Sequence, residues 1–553
     1  MSATAKHGGT ARCRPPHKPI FEEETTMKKI SLLLALVLLL TVALGCLASC
    51  GTNKIDENTL SIEVVNLGFG VDWLYALADA YHAKNPNVKF HIQPFVGQAG
   101  NDTINGHSEA LAGDTDIFFF RPSKYHFNAY QGAVNTKSGR LDCIYADLTD
   151  IWTTPYEDGS TMEGKIDKIV ANYLKVNDKY YGVNWVDDFM GFVRNKDVWK
   201  SLGLTDADIP VTTDEMIALS EKIIAKNAGI APMIFSKNEE YYTSVWSVWM
   251  EQYEGKESMQ NYINGLDPLG DVSYNLYAYP GQEVALNFIA RLLEKKQDGK
   301  VMKYKYQHES SDSLSFTEMQ SYFLEGQAAF CINGSWLEIE MNKNKENGTS
   351  YNIDFIKTPV ISDIINVLPD KSVKTDAELA EVIRYVDAVD AGQAAEKPAF
   401  ATDADVARIR EARHAAYCRG GSDHTAVVAG WSTKIDMAKD FLKFMYSDEG
   451  MKVYYNALGG MSLPATLTNG DYDSLTMSTF TSSVNAALRE SYFSNLSFAC
   501  AKVYTVGGVN YNFVNGSGNF VTELLAGKSV KDIINANKNY LRNNWTAISN
   551  AIR

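Results

Sequence analysis

The stretch from Leu60 to Ile92 constrains the fold most strongly, because it contains the periodicities of both strands and helices. Apolar and polar residues alternate over Leu60–Val64, which predicts a strand. A helical pattern spans Trp73–Tyr81 and must end near Asn85-Pro86, since proline cannot continue a helix. Alternation returns over Val88–Ile92. This strand–helix–strand unit predicts a parallel α/β sheet.

A leader-like segment precedes this unit. It begins at Met27 with two lysines, continues as an apolar run over Ile30–Leu44 and ends on Leu47-Ala48-Ser49-Cys50. Such a pattern is typical of a secretory signal peptide, and the run is shorter than the roughly 20 residues that a transmembrane helix needs. The ending resembles the lipobox of bacterial lipoproteins. That resemblance implies removal of residues 27–49, lipid attachment at Cys50, and a location outside the cytoplasm on a membrane anchor.

The residues that flank the leader are not expected to be part of the fold. Residues 1–26 precede a complete signal peptide, and Glu22-Glu23-Glu24 requires purine-rich codons where a ribosome-binding site for Met27 would lie. We therefore expect residues 1–26 to be a mis-called extension. Residues 50–57 are mostly polar and predict a tether.

The length of the chain predicts more than one lobe. From Cys50 onward the chain has 553 − 49 = 504 residues, more than the roughly 250–300 at which single cores stop growing. The whole chain has 52 basic and 67 acidic residues, a net charge of −15. An acidic exported protein is a poor nucleic-acid binder and lacks the polybasic surface that binds membranes by charge.

The cysteines after the leader are widely spaced and contain no CxxC pair, which argues against a zinc site. A chain of this size can rely on its core, so we expect buried or free thiols rather than a disulfide framework. These cysteines are Cys143, Cys331, Cys418 and Cys500.

Two further apolar strands are each followed by a polar loop. Ile117–Phe120 leads into Arg121–Lys124, and Lys179–Trp185 leads into Val186-Asp187-Asp188. Open α/β sheets bind ligands at such strand ends. The Gly68-Phe69-Gly70 turn lacks the third glycine of a dinucleotide fingerprint, so we expect no cofactor.

Helical patterns dominate the middle of the chain. Three capping pairs predict helix starts: Thr212/Glu215, Ser315/Glu318 and Ser529/Asp532. A short apolar strand, Ala328–Ile332, is followed by Asn333-Gly334-Ser335-Trp336. Residues 361–424 are rich in alanine and aspartate and weakly helical, over Glu378–Val389 and Asp403–Ala416. They interrupt the α/β rhythm, so we expect a helical insertion.

These elements, in this order, resemble the extracellular solute-binding proteins of bacterial sugar ABC transporters. The resemblance covers most of residues 58–553 and starts with the first strand–helix–strand unit. Tyr181–Asp197 resembles the strand pair of that family, and Ala438–Gly450 resembles a late helix. The most specific match is Gly326–Trp336, which resembles Gly-x-Ala-Ala-Met-x-x-Asn-Gly-x-Trp.

The resemblance implies an α/β, two-lobed periplasmic-binding-protein fold, with hinge strands between the lobes and a cleft between them. The first lobe would combine residues 58–184 and 425–462. The second would combine residues 188–360 and 465–553. Residues 361–424 would form the helical insertion near the hinge.

The implied function is non-catalytic. A protein of this kind captures a carbohydrate, here an oligosaccharide, by closing its lobes on it. It then delivers the solute to the permease subunits of an ABC importer. We expect a monomer that works without a cofactor or a metal.

The resemblance also implies which residues touch the ligand. Trp336 matches the tryptophan on which family members stack a sugar ring, Asp188 aligns with a cleft carboxylate, and Tyr241 falls where a stacking tyrosine would lie. The alternatives are a core tryptophan, a hinge salt bridge and an ordinary helix residue. Further candidates lie near predicted strand ends: Asn66, Phe69, Phe120, Arg121, Ser123, Lys124, Trp185, Asp187, Gly430 and Trp431. Trp73 has the helical spacing of a core residue.

Other function classes remain open at the level of the sequence. A surface glycoside hydrolase needs two carboxylates at a defined separation, whereas Asp187 and Asp188 are direct neighbours. A sensor or adhesin could use the same fold. The solute could also be a peptide or a polyamine.

Overall fold

A computed structural model describes residues 56–111, 113–130, 132–134, 141–166, 168–186, 189–236, 241–298, 301–342, 351–418, 424–459, 465–468, 470–472, 474–475, 477–493, 501–509 and 520–553. The leader with Cys50, the Asp187-Asp188 pair and Cys500 lie outside these residues. All elements below belong to the unit Glu57–Arg553.

The described strands include those that apolar runs predict and others that no apolar run predicts, such as Lys295–Asp298. In chain order they are β1 (Thr59–Asn66), β2 (Lys89–Val96), β3 (Ile117–Phe120), β4 (Gly132–Val134), β5 (Leu141–Cys143), β6 (Lys175–Val176), β7 (Lys179–Tyr180), β8 (Val183–Asn184), β9 (Phe189–Asn195), β10 (Ala231–Ile234), β11 (Lys295–Asp298), β12 (Val301–Tyr304), β13 (Ala328–Gly334), β14 (Ile353–Ile356), β15 (Ala415–Cys418), β16 (Thr425–Val428) and β17 (Tyr492–Phe493).

The helices are α1 (Asp72–Lys84), α2 (Gly97–Glu109), α3 (Tyr125–Tyr130), α4 (Thr149–Thr153), α5 (Met162–Lys165), α6 (Lys168–Leu174), α7 (Lys196–Ser201), α8 (Thr213–Ala225), α9 (Tyr242–Glu254), α10 (Lys256–Ile263), α11 (Pro280–Leu292), α12 (Phe316–Leu324), α13 (Leu337–Asn342), α14 (Asp376–Asp390), α15 (Asp403–His414), α16 (Ile435–Met445), α17 (Asp448–Leu458), α18 (Thr479–Glu490), α19 (Lys502–Thr505), α20 (Phe520–Leu525) and α21 (Val530–Ile552). Short 3₁₀ turns occupy Asp206–Asp208 and Ser362–Asn366.

Side-chain caps set the helix starts that the sequence predicts. Oγ1 of Thr212 accepts a hydrogen bond from the Glu215 N–H at the start of α8. Ser315 and Glu318 form a full capping box before α12. Oγ of Ser529 accepts from the Asp532 N–H before α21. The three predicted starts are thereby confirmed, because each cap satisfies an N–H that the first helical turn leaves without a partner.

The first sheet confirms the predicted parallel unit. Its strand order is β2-β1-β3-β16-β8, with β1 parallel to both β2 and β3. Strand β16 runs antiparallel to β3 and to β8. Helix α1 buries Trp73, Leu74, Leu77 and Tyr81 in the core of this lobe.

The second sheet has the order β10-β13-β9-β15-β17. Strand β10 is parallel to β13, and β9 is antiparallel to β13. The other edge of β9 is shared, because β14 pairs with Phe192–Asn195 and β15 pairs with Phe189 and Met190. Both sheets are therefore mixed α/β sheets, as the fold class requires.

The chain leaves the first sheet after β8 and returns to it at β16. The hydroxyl of Tyr446 donates to the carbonyl oxygen of Asn184, and that of Tyr454 donates to the carbonyl oxygen of Trp185 over 2.7 Å. Helices α16 and α17 thus fix the last residues before the chain enters the second sheet. The lobe boundaries given above stay a prediction.

One stretch differs from the expected lobe assignment. Ala465 forms an antiparallel bridge with Ile166, and the Thr468 N–H donates to the Asp448 carboxylate over 3.1 Å. Residues 465–468 therefore pack with first-lobe elements rather than with the second sheet. Helix α18, which begins at Thr479, is the first described helix after this stretch to contact a second-sheet strand, through Ser483 and the Phe355 N–H.

The segment 361–424 contains both predicted helices, α14 and α15. The second ends at His414, because β15 begins at Ala415 and pairs with β9. Nη2 of Arg413 lies 2.9 Å from Oδ2 of Asp387, and its Nη1 donates to the Thr358 carbonyl over 3.2 Å. Lys357 Nζ lies 3.0 Å from Oδ1 of Asp387. The contacts to Thr358 and Lys357 dock the segment on the second lobe.

Two of the predicted thiols can be placed. Cys143 is exposed and Cys331 is buried, and both are free. Burial raises the pKa of the Cys331 thiol, although a hydrogen bond to Asn333 acts the other way. Within the described residues, no helix has the length and apolar character needed to cross a membrane.

Candidate ligand-binding site

The ends of the strands place the candidate residues at corresponding edges of the two sheets. In the first sheet, β1 ends at Asn66 and β3 ends at Phe120. The first residue of β16, Thr425, pairs with Phe120 on one side and with Asn184, the end of β8, on the other. In the second sheet the end of β13, Gly334, pairs with Met190 near the start of β9. The chain crosses between the sheets at these edges.

Trp336 lies where the two lobes touch. It follows β13 of the second sheet, and only 7% of its surface is exposed. A Cβ on Gly334, two residues earlier, would lie 2.0 Å from Cζ3 of the indole. A Cβ on Gly68, in the turn after β1 of the first sheet, would lie 3.1 Å from Cγ of Trp336. Glycines from both lobes therefore make room for this one side chain.

Two rings meet Trp336 edge to face, and a third packs edge to face behind one of them. The ring centroid of Phe69 lies 6.1 Å from that of Trp336, and that of Tyr241 lies 5.9 Å away. Phe316 packs against Tyr241 at 5.2 Å. Such pairs are stabilised by the ring quadrupoles. The structure thus brings Trp336, Tyr241 and Phe69 together, and their role in ligand binding stays a prediction.

His424 continues the aromatic set into the first lobe. Its ring lies 6.0 Å from Phe69 and 4.9 Å from Trp185. Trp185 in turn stacks on Trp73 at 5.1 Å with an interplanar angle of 18°. His424 was not among the predicted residues. The one available signal was its position directly before the apolar strand Thr425–Val428.

The loop after β3 is fixed by helix α2. Asn101 and Asn105 hydrogen-bond the backbone of Arg121 and Ser123. The side chain of Arg121 is half-buried, and those of Ser123 and Lys124 are exposed. Arg121 is among the residues that the sequence predicts for the site, but Asn101 and Asn105 are not. The only sign of the two asparagines in the sequence is their spacing of four residues, which places them on one face of a helix.

Three candidates are placed differently from the expectation. The side chains of Phe120 and Trp185 are fully buried in the first-lobe core, and Trp185 Nε1 donates to the Phe120 carbonyl over 3.5 Å. Trp431 follows the end of β16. Because β16 is antiparallel to β3, this end lies beside Ile117, at the edge opposite Arg121. Trp431 packs there against Phe118 and is not part of the Trp336 set.

The remaining candidates have simple placements. Asn66 is half-buried at the end of β1, where it pairs with Val96 of β2. Gly430 allows a close backbone approach, since a Cβ there would lie 2.0 Å from the Cys143 carbonyl oxygen. Trp73 is a core residue, as its spacing predicts. Asp187 and Asp188 lie outside the described residues and stay predictions.

The described residues contain no group of histidine, cysteine or carboxylate side chains that could hold a metal ion. The candidate site is instead a set of aromatic planes from two lobes, with an arginine on a fixed loop nearby. Such an arrangement suits a ligand with apolar faces and a polar rim.

Comparison with known proteins identifies the family and the fold. The family model for bacterial extracellular solute-binding proteins matches residues 70–452, more than half of the chain. The chain belongs to this family. No curated protein matches it. Members of the family are binding proteins that act outside the cytoplasm.

Solved structures show the same fold at low sequence identity. An ABC substrate-binding protein from Listeria monocytogenes, Lmo0181 in complex with cycloalternan, aligns with a TM-score of 0.55 at 15% identity, covering 89% of this chain and 99% of that one. Apo RafE from Streptococcus pneumoniae gives 0.54 at 16%, covering 88% and 98%. Maltose-bound MalE3 from T. maritima gives 0.52 at 15%, covering 88% and 99%. The fold is therefore that of the two-lobed binding proteins.

Proposed function

We propose that this family member captures an oligosaccharide by closing its lobes and delivers it to the permease subunits of an ABC importer. The observation that carries the proposal is the position of Trp336, which follows β13 of the second sheet and contacts Gly68 and Phe69 of the first lobe. The contacts of a residue that touches both lobes depend on whether the lobes are open or closed.

The chemistry of the site favours a carbohydrate. Aromatic planes such as Trp336 and Tyr241 cover the C–H faces of a sugar, and the guanidinium of Arg121 can donate to its hydroxyls. Similarly folded structures include complexes with raffinose, maltose and cycloalternan and a chitin oligosaccharide binding protein. The fold is shared at about 15% identity, so these names support a sugar class without naming the sugar.

Ligand binding and closure are coupled in this proposal. The rings around Trp336 pack on one another, and a sugar entering between the lobes replaces these ring contacts with its own. The ligand favours the closed state only by the difference in its affinity for the two states. The closed form then presents both lobes to the permease.

Replacing Trp336 with alanine is expected to weaken sugar binding by at least about 30-fold, since buried aromatic anchors contribute about 2 kcal/mol or more. Unmutated residues 51–553 would be screened by thermal shift against maltotriose, raffinose and chitotriose. A sugar at about 100 times its dissociation constant adds roughly 2.7 kcal/mol of stability. Titration calorimetry of both proteins then gives the change in affinity.

Trp431→Ala is the matched control. Trp431 is as buried as Trp336 but lies at the end of the first sheet away from the candidate site. Its loss should therefore lower the stability of the protein and leave its affinity for the sugar unchanged. Equal affinity of Trp336→Ala and the unmutated protein would contradict the proposed platform. Binding of peptides but not sugars would move the assignment to a non-sugar solute, and cleavage of the sugar would favour a hydrolase.

The proposal includes a lipid anchor at Cys50. Cys50→Ser is expected to move the protein from the membrane fraction to the soluble or secreted fraction, because the thiol that carries the lipid is lost. Cys46→Ser, which alters the other cysteine of the leader, should leave the protein on the membrane. If Cys46→Ser instead released the protein from the membrane, the lipid would be attached at Cys46 and the proposal for Cys50 would be wrong.

A further inference from the structure

The loop that carries Arg121 is held by two buried carboxamides. Nδ2 of Asn101 donates to the Arg121 carbonyl over 3.0 Å, and the Arg121 N–H donates back to Oδ1 of Asn101 over 2.8 Å. Nδ2 of Asn105 donates to the same carbonyl over 3.0 Å, and the Ser123 N–H donates to Oδ1 of Asn105 over 2.9 Å. Asn101 and Asn105 are 4% and 9% exposed.

Asn101 takes the place of a neighbouring strand. Strand β1 pairs with β3 only as far as Phe119, so the β1 ladder does not reach Arg121. The carboxamide of Asn101 supplies one donor and one acceptor to the backbone of Arg121, as a strand partner would. Arg121, the residue after β3, thereby has partners for both its backbone N–H and its carbonyl oxygen.

The two asparagines lower the helix propensity of α2 and bury polar groups, which indicates a role beyond packing the helix on the sheet. Asparagine is a poor helix former, and helix α2 also contains Gly97, Gly100 and Gly106. Apolar residues at the two positions would pack the helix on the sheet without burying polar groups. The two carboxamides fix the backbone of a loop whose own side chains are half-buried or exposed.

We propose that Asn101 and Asn105 are positioning residues that hold Arg121 for hydrogen bonding to ligand hydroxyls. The inference rests on the proposed function. A fixed backbone reduces the entropy that the Arg121 guanidinium must lose when it binds, so the two asparagines add affinity through Arg121 without touching the sugar.

A double-mutant cycle tests this role. Dissociation constants for maltotriose, raffinose and chitotriose would be measured with the unmutated protein, Asn101→Ala, Arg121→Ala and the double variant. We expect Asn101→Ala to weaken binding about 10-fold, the size expected for a lost hydrogen bond. In the Arg121→Ala background, the same change should alter affinity less than twofold, because its effect acts through Arg121.

Thr103→Ala is the matched control, since Thr103 is exposed on the same helix and should leave affinity unchanged. If Asn101→Ala does not fold, Asn105→Ala provides the same cycle with fewer lost bonds to Arg121. An equal loss in both backgrounds, or no loss at all, would overturn the positioning role. An Arg121→Ala variant that binds normally would also overturn it, while the Trp336 result would still stand. Failure of the unmutated protein to bind any of the three sugars would overturn the proposed function itself.

Discussion

Alanine at position 334 is expected to abolish the aromatic platform and weaken oligosaccharide binding by at least about 30-fold. The added Cβ would lie 2.0–2.3 Å from three atoms of the Trp336 indole, far inside van der Waals contact. The ring must therefore leave its position, because Gly334 itself is held in β13 by pairing with Met190. Overpacking of this kind costs about 1–3 kcal/mol of stability. Calorimetric titration and thermal unfolding of Gly334→Ala would measure both effects.

Gly106→Ala is the control for the loss of a glycine as such. Gly106 lies in α2, and a Cβ there meets nothing within 4 Å, so alanine should be neutral or stabilise by up to about 1 kcal/mol. Unchanged affinity in Gly334→Ala would mean that the indole does not support the ligand from this position.

Gly68→Ala distinguishes the effect of the contact between the lobes from the effect of the position of the Trp336 ring. Its added Cβ would approach Cβ and Cγ of Trp336 at 3.1 Å from the other lobe, so it disturbs the contact between lobes but not the seat of the ring on β13. We expect a smaller loss of affinity than for Gly334→Ala. The loss should appear mainly as a slower association if closure limits binding.

The second large effect concerns the insertion. Arg413→Ala is expected to lower the free energy of unfolding by about 3 kcal/mol, because it leaves a partly buried carboxylate with one cationic partner fewer. The Arg413 side chain is 4% exposed, and the Asp387 side chain is 28% exposed and keeps Lys357. Urea unfolding followed by circular dichroism would measure the change. Arg384→Ala, which removes an exposed ion pair to Glu215, should cost far less.

The same ion pair predicts a pH dependence. Burial alone would raise the pKa of the Asp387 carboxyl, but the charges and hydrogen bonds of Arg413 and Lys357 outweigh it, so its pKa is lowered from 3.8. A carboxyl with a lowered folded-state pKa stabilises the fold above its unfolded value and loses that contribution as pH falls through the folded value. The stabilisation is therefore present above about pH 4. Arg413→Ala should move acid unfolding to higher pH, and an unchanged acid midpoint would contradict this account.

The sequence predicts the helices and strands of this fold better than it predicts which strands pair with one another. Local rules suffice for β1–α1–β2 and for the caps at Thr212, Ser315 and Ser529, because each depends on a few neighbouring residues. The direction of β16 depends on a pairing with β3 from a distant part of the chain. Alternation within one strand carries no information about that pairing, so Trp431 was expected in the cleft and lies at the opposite edge.

The candidate site was predicted through its largest side chains. Trp336, Tyr241 and Phe69 stand in recognisable local patterns, and the structure brings them together. A pattern of residues in the sequence does not show contacts with distant residues or with backbone atoms. It therefore misses His424, which contacts Phe69 and Trp185. It also misses Asn101 and Asn105, which bond the backbone of the loop after β3. The burial of Phe120 and Trp185 likewise follows from the helices packed over the sheet.

Tyr446 and Tyr454 fix the chain at the point where it leaves the first sheet. Their hydroxyls hold the carbonyl oxygens of Asn184 and Trp185 to helices of the first lobe, so the chain behaves as part of that lobe up to Trp185. On the far side, β9 is held along both edges from Phe189 onward. The contacts that hold the chain to the first lobe therefore reach Trp185, and those that hold it to the second sheet begin at Phe189, so each lobe fixes its own side of the crossing.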